Sequence, residues 1–282
     1  MQKFLSRYYF VFTAITIAAF CIAFVIPFLA GIYLSFTNFT TVTNASWVGL
    51  ENYVKAFTTN ADFLNALWFT VKFAVVSIIS INIISFALAL LLTNNYRGTN
   101  AFRTVFFMPN LIGGIVLGYI WQLIINGILL HVAGVDLTYS AKYGFWGLVV
   151  LTNWQMVGYM MIIYIAGIQN ISPDLIEAAE IDGASPRQIL FNIKIPQVMP
   201  SVTICVFLTL ANSFKLFDQN LALTNGAPNR ETAMLALDIY NTFYGRMGYE
   251  GVGQAKAVIF FILVAAIAFI QLAITRKKEI EN

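Results

Sequence analysis

Ile171-Ser-Pro-Asp-Leu-Ile-Glu-Ala-Ala-Glu-Ile-Asp-Gly-Ala-Ser-Pro-Arg-Gln-Ile-Leu-Phe-Asn-Ile-Lys-Ile-Pro196 lies between two apolar runs and reads as two short helices meeting at a glycine. Ser172 stands where an N-cap is wanted, Pro173 follows at the first helical position, and Asp174 brings a carboxylate to the positive helix end. Gly183 falls at the position where a left-handed residue closes a helix, so the first helix is predicted over residues 173 to 182. Ser185, Pro186 and Gln188 repeat the start signal as a capping box, and Pro196 is expected to stop the second helix. A compact helical hairpin between membrane-length segments is built to dock.

The chain around it is apolar. Of 282 residues, 59% are hydrophobic and 10% charged, and the mean hydropathy is +0.77. Soluble domains carry about a quarter charged residues, so this surface belongs in a bilayer and the chain is read as an all-α polytopic membrane protein. The net charge of +3 is small and its basic residues are scattered, which excludes a nucleic-acid-binding face. Cys21 and Cys205 both sit in apolar segments as small hydrophobes rather than a disulfide, and Phe20 before Cys21 argues against a lipoprotein site. His131 has no Cys or second His nearby and is assigned no metal.

Apolar segments of the ~20 residues that a bilayer demands occur at 8–36, 66–93, 104–126, 145–168, 200–222 and 253–275, which predicts six transmembrane helices. The first is too long for a signal-peptide core and lacks a small-residue cleavage site, so it is expected to remain. Pro27 is expected to kink it, and the third contains Pro109 and Gly113-Gly114. Placing the N-terminus inside puts nine basic residues in the cytoplasm (Lys3, Arg7, Arg97, Arg103, Arg187, Lys194, Arg276, Lys277, Lys278) against four outside (Lys55, Lys142, Arg230, Arg246). Both termini and the hairpin are therefore expected on the cytoplasmic side. The organisation reads as an N-terminal helix with its external segment over 1–65, a membrane domain over 66–275 containing the loop 171–199, and a cytoplasmic tail over 276–282. In the first external segment, Trp47-Val-Gly-Leu-Glu-Asn-Tyr53 mixes aromatic, apolar and charged residues in the manner of an interfacial helix.

Glu177-Ala-Ala-x-x-x-Gly183 followed by Ile195-Pro196 resembles the coupling loop of ABC importer permeases. Phe217-Asp218 and Leu223-Thr-Asn-Gly-Ala-Pro228 resemble a signature of the carbohydrate-uptake branch, with Ala227 in place of the usual second glycine, and Gly167-Ile-Gln-Asn-Ile-Ser-Pro173 fits the same branch. The resemblance implies the type I importer transmembrane fold in the cytoplasmic membrane. It gives Glu177, Ala178, Ala179, Asp182 and Gly183 the role of docking on an ATPase, the small alanine pair allowing close approach. It also implies the partners: a second homologous permease, two ATPase subunits that bind ATP and magnesium, and an external solute-binding protein that delivers a sugar or polyol. The chain is expected to lack the large external insertion and the extra N-terminal helices that the larger maltose permease subunit carries.

The chain has no G-x-x-x-x-G-K-[ST] segment, so no ATP site of that type belongs to it and no cofactor is expected in it. No nucleophile, base or metal cluster with catalytic spacing occurs, which argues for a transport subunit and against an enzyme. The rivals are an ion-coupled secondary transporter and a permease for a non-sugar solute. The first needs intramembrane ionisable groups, and Lys72, Lys256 and the pair Lys215 and Asp218 are thin candidates, since the first two can snorkel and the last two can pair on one helix. In the fifth span, Thr209, Asn212, Ser213 and Leu216 fall at i, i+3, i+4 and i+7 with Asn220 on the same side, a polar stripe that predicts a substrate path. The bland alternative for each is interhelical hydrogen bonding. Asn153, Gln155 and Tyr159 on the fourth span are the candidates for the facing wall, because amides and phenols suit sugar hydroxyls.

Overall fold

The computed structural model describes residues 13–41, 43–59, 62–94 and 97–280, with side chains to residue 273. Lys3, Arg7 and the side chains of Arg276, Lys277 and Lys278, which weigh in the sidedness count, lie outside the described residues. The chain divides into two compact units, residues 1–63 with 239–261 and residues 64–238 with 262–282.

In the first unit, α1 covers Thr13–Leu34. Pro27 removes a backbone donor from this helix, and a widened π turn at Cys21–Val25 just before it absorbs the change, with Ile26 N–H bonding to Cys21 O. A two-stranded antiparallel hairpin follows, β1 Thr37–Phe39 against β2 Ala45–Trp47, a small departure from the all-α expectation. Then comes α2, Glu51–Thr58. The helix α3, Asp62–Leu92, opens in this unit and continues as a span. At the other end of the chain, α11 (Leu235–Gly245) from residue 239 and α12 (Glu250–Ile280) as far as residue 261 belong to this unit. Arg246 bonds Asp62 at 3.1 Å. Lys256 does not snorkel as expected; it is buried, donating to Thr242 Oγ1 at 2.9 Å with its ammonium over the Phe63 ring.

The second unit is built around α6, Ala141–Gln169. Two-thirds of its most apolar window is buried (67%), against 22% for α3 and 11% for α5, Gly114–Ala133. Met156, Val157, Met160, Met161, Tyr164 and Ile165 of α6 pack with Ile81 and Ala89 of α3 and with Cys205. A second cluster joins Leu148, Val149 and Leu151 of α6 to Phe69 and Phe73 of α3 and Leu117 of α5. Hydrogen bonds cross the same seams: Ser85 donates to Val157 O at 2.9 Å, and Tyr164 OH donates to Asn82 Oδ1 at 2.7 Å.

Two of the predicted spans are interrupted. The third does not run from 104 to 126: α4 (Thr99–Phe107) passes into a 3₁₀ turn at Met108–Leu111, Ile112 is extended, and α5 restarts at Gly114. Pro109 and the Gly113-Gly114 pair break the helix there, and the apolar length is recovered by running on to Ala133. The fifth does not run from 200 to 222: α9 (Met199–Phe214) ends at Lys215, and α10 (Asp218–Leu223) begins after Phe217. Before α9 lie α7 (Pro173–Ile181) and α8 (Pro186–Gln197), and α8 meets α9 at a 65° bend. Among the described residues, five helices are long and apolar enough to cross a membrane, or six with the bent pair counted as one.

Candidate functional site

The hairpin forms largely as its residues dictate. After α7, Asp182 N bonds Ala178 O, Gly183 N bonds Glu180 O and Ala184 N bonds Ala179 O at 2.9 to 3.1 Å, with Gly183 left-handed at φ 78°. That pair of bonds from Gly183 and Ala184 is a Schellman closure. Ser185 and Gln188 make the reciprocal capping box. Two details differ from expectation. Ser172 occupies the N-cap position without a side-chain bond to the helix. Pro196 does not stop the second helix, because a π turn at Leu190–Lys194 rearranges the bonding ahead of the ring and the helix lasts to Gln197. Glu177, Ala178, Asp182 and Gly183 are exposed and Ala179 is half-buried. Leu175, Ile181 and Phe191 are exposed beside them, with Ile181 86% accessible. In water such a surface is costly, and it marks a contact face.

The two interruptions frame a cavity of about 600 Å³ in the second unit, lined by Asn110 from the 3₁₀ turn, Gln155, Met156 and Tyr159 of α6, Leu208 and Asn212 of α9, and residues 215 to 219 across the second break. Gln155 joins the two breaks. Its Nε2 donates to Ile112 O at 3.4 Å, and its Oε1 accepts from Gln219 Nε2 at 2.8 Å. The short helix α10 reaches this position by packing on α5 at Gly114 and Gly118, one turn apart. A Cβ on Gly118 would stand 2.7 Å from Ala222 Cβ, and one on Gly114 would stand 2.7 Å from Asp218 Cβ. Lys215 caps α9 and Asp218 opens α10, so they no longer share a helix, and no ion pair joins them.

The helical geometry sorts the predicted path residues. Gln155 and Tyr159 stand four apart on one face of α6 and line the cavity. Asn153 is two residues from Gln155, ~200° round the helix, and bonds Val149 O of its own helix instead. On α9 the lining stripe is Leu208, Asn212 and Lys215, the i, i+4, i+7 pattern. Thr209 and Ser213 lie to its other side, fully buried. Thr209 bonds Cys205 O at 2.7 Å and receives Asn82 Nδ2 at 3.4 Å, while Ser213 Oγ has no hydrogen-bond partner among the described residues. Asn220 leaves the stripe altogether, since the helix breaks before it. It is buried beneath the turn after α10, donating to Thr224 Oγ1 and Thr232 O and accepting from Met234 N. Sequence reasoning missed Asn110, Lys215, Asp218 and Gln219 as lining residues.

Membrane spans, an exposed helical hairpin and a polar cavity between interrupted helices together define a membrane subunit of a solute transporter. The chain belongs to the binding-protein-dependent transport system inner membrane component family, whose model matches residues 85–280 and so takes in the hairpin and every lining residue. It is 44% identical to the probable starch degradation products transport system permease protein of Thermoanaerobacterium thermosulfurigenes, over 97% of this chain and 96% of that one. It is 29% identical to the multiple sugar-binding transport system permease protein of Streptococcus mutans, over 99% of both. Its fold matches a chain in the crystal structure of a bacterial ABC transporter involved in the import of the acidic polysaccharide alginate, with a TM-score of 0.82, 20% identity and 98% of each chain covered. The protein is therefore the multi-pass permease subunit of an ABC importer in the cytoplasmic membrane, a transport component and not an enzyme. Membership of this family sets aside the ion-coupled rival.

Proposed function

We propose that this chain carries a sugar, with oligosaccharides released from starch as the first choice, through the cavity between its interrupted helices. The cavity chemistry carries the reading: four amides (Asn110, Gln155, Asn212, Gln219), the Tyr159 phenol and the Phe217 ring converge on one space. Amides and phenols donate to and accept from hydroxyls, an aromatic face suits a sugar ring, and ~300 to 1,000 Å³ is the usual size of a small-ligand site. The names of the two relatives support the same class. The solute arrives from an external binding protein, a second permease completes the pathway, and two ATPase subunits holding ATP and magnesium dock on Glu177 to Gly183. Six spans with both termini in the cytoplasm put the hairpin on the ATPase side.

Two experiments test this. In proteoliposomes containing this chain, its second permease, its ATPase and its binding protein, labelled maltooligosaccharides should enter only with ATP inside. Uptake of an amino acid but of no sugar would overturn the substrate class. Single cysteines at Gln188 and Asn229 test the sidedness. An impermeant thiol reagent should reach the first only from the cytoplasm and the second only from outside, and labelling of both from one face would refute the topology.

A further inference from the structure

The transport reading makes no use of the segment between α1 and α3. We propose that α2 is an interfacial helix, with the face formed by Leu50, Val54 and Phe57 seated in lipid at the boundary between headgroups and acyl chains where α1 leaves the bilayer.

The residues of α2 divide it into three strips. Asn52 and Ala56 are buried and Tyr53 is half-buried, which is the side turned to its own unit. Leu50, Val54 and Phe57 follow the i, i+4, i+7 rule and are 64%, 59% and 44% exposed. Glu51 and Lys55, paired at 2.7 Å, form the third strip with Thr58. A helix with one apolar and one charged exposed strip belongs where oil meets water.

The depth of α2 is set by α1. Asn52 Nδ2 donates to Ser35 O at 3.0 Å and to Thr37 O at 2.8 Å, and Tyr53 OH bonds Ser35 Oγ at 2.7 Å. Ser35 is the residue after the last of the span. The helix is thus tied by three hydrogen bonds to the point where the chain exits the membrane, and cannot stand far out in water. The lipid-facing side of α1 also continues into it. Tyr33, 55% exposed in the last turn of the span, has its ring 6.1 Å from that of Trp47, and Trp47 stacks on Phe36 at 5.5 Å. Trp47 is itself 65% exposed. Tyrosine and tryptophan at a span end, with an apolar strip beside them, match the aromatic belt of membrane interfaces. The paired Glu51 and Lys55 leave the water-facing strip without net charge, so the surface asks for an apolar boundary and not for an anionic headgroup.

The test uses the assembled transporter in phosphatidylethanolamine and phosphatidylglycerol nanodiscs. Nitroxide labels are placed at Val54→Cys and, separately, Lys55→Cys, in a background with Cys21→Ser and Cys205→Ala. Collision with oxygen, which partitions into lipid, and with a water-soluble nickel chelate should give opposite patterns. The oxygen-to-nickel ratio is expected to be severalfold higher at Val54 than at Lys55. Equal ratios would mean that the strip lies in water, and a Val54 label closed to both reagents would mean that a protein covers it; either overturns the proposal. Trp47 gives a label-free second reading, because brominated acyl chains should quench wild-type emission more than that of Trp47→Phe. Equal quenching would also overturn it.

Discussion

The helical hairpin and the cavity lie in the same unit and are made by opposite means. In the hairpin the defining bonds join near neighbours, as in Ala184 N to Ala179 O and Gln188 to Ser185. In the cavity the bonds from Gln155 reach residues 43 and 64 positions away. A locally made element depends little on its surroundings for its shape, which fits the proposed coupling role. A cavity assembled from two helix breaks and a bridging glutamine keeps its shape only while three helices stay in register, which fits the proposed solute path.

Perturbing the register should have the largest effect. Gly118→Val puts a branched side chain where α10 packs on α5, and overpacking of this kind costs about 1–3 kcal/mol or more. Reduced thermal stability in detergent and lost uptake are expected together. A fully stable Gly118→Val protein with normal uptake would mean that α10 does not depend on that contact. Gln219→Leu removes the partner of Gln155 Oε1 and leaves a buried acceptor unpaired, about 1–3 kcal/mol. Slower uptake and a changed preference among sugars should accompany a smaller stability loss, and wild-type kinetics across all sugars tried would remove Gln155 as the bridge.

Smaller effects sharpen the assignment of faces on α9. Asn212→Leu should lower uptake or narrow the sugar range while basal ATPase activity and assembly stay as in wild type. Ser213→Ala, one residue on, deletes a buried hydroxyl without a partner. It should leave uptake unchanged and shift stability by only ~0–1 kcal/mol, on the stabilising side. The opposite ranking would restore the stripe through Thr209 and Ser213 and displace the cavity.

The same contrast explains what could be read from the residues alone. Capping and the left-handed glycine are local, and they mark the hairpin; the membrane-length runs are local too, and they mark the long apolar helices but not their limits. Pro196 was misjudged because a π turn, invisible in composition, bypasses the proline; Pro27 is accommodated in the same way. Pro109 and Gly113-Gly114 mark the break in the sequence, but not how far the apolar length runs on beyond it, to Ala133. The break at Lys215 to Phe217 contains neither proline nor glycine. Just after it, α10 packs on α5 at Gly114 and Gly118, whose one-turn spacing is the sequence signal for that close approach. An unbroken helix through the break would carry Asn220 onto the α9 stripe, whereas Thr209 and Ser213 precede the break and turn away from the cavity by their own register on α9. Grouping Asn153 with Gln155 ignored the half-turn between them.

The proposed coupling of the hairpin to transport is tested most directly by substrate-stimulated ATPase activity in the reconstituted transporter with residue 183 varied. Gly183 sits at φ 78°, and a Cβ there would meet nothing within 4 Å, so only the backbone conformation is at stake. Gly183→Val strains that conformation by about 1–2 kcal/mol, while Gly183→Asn fits a left-handed residue. The valine variant should insert and assemble but lose both stimulation by the loaded binding protein and sugar uptake, whereas the asparagine variant should keep most of each. Full stimulation and uptake in a normally expressed Gly183→Val transporter would contradict it.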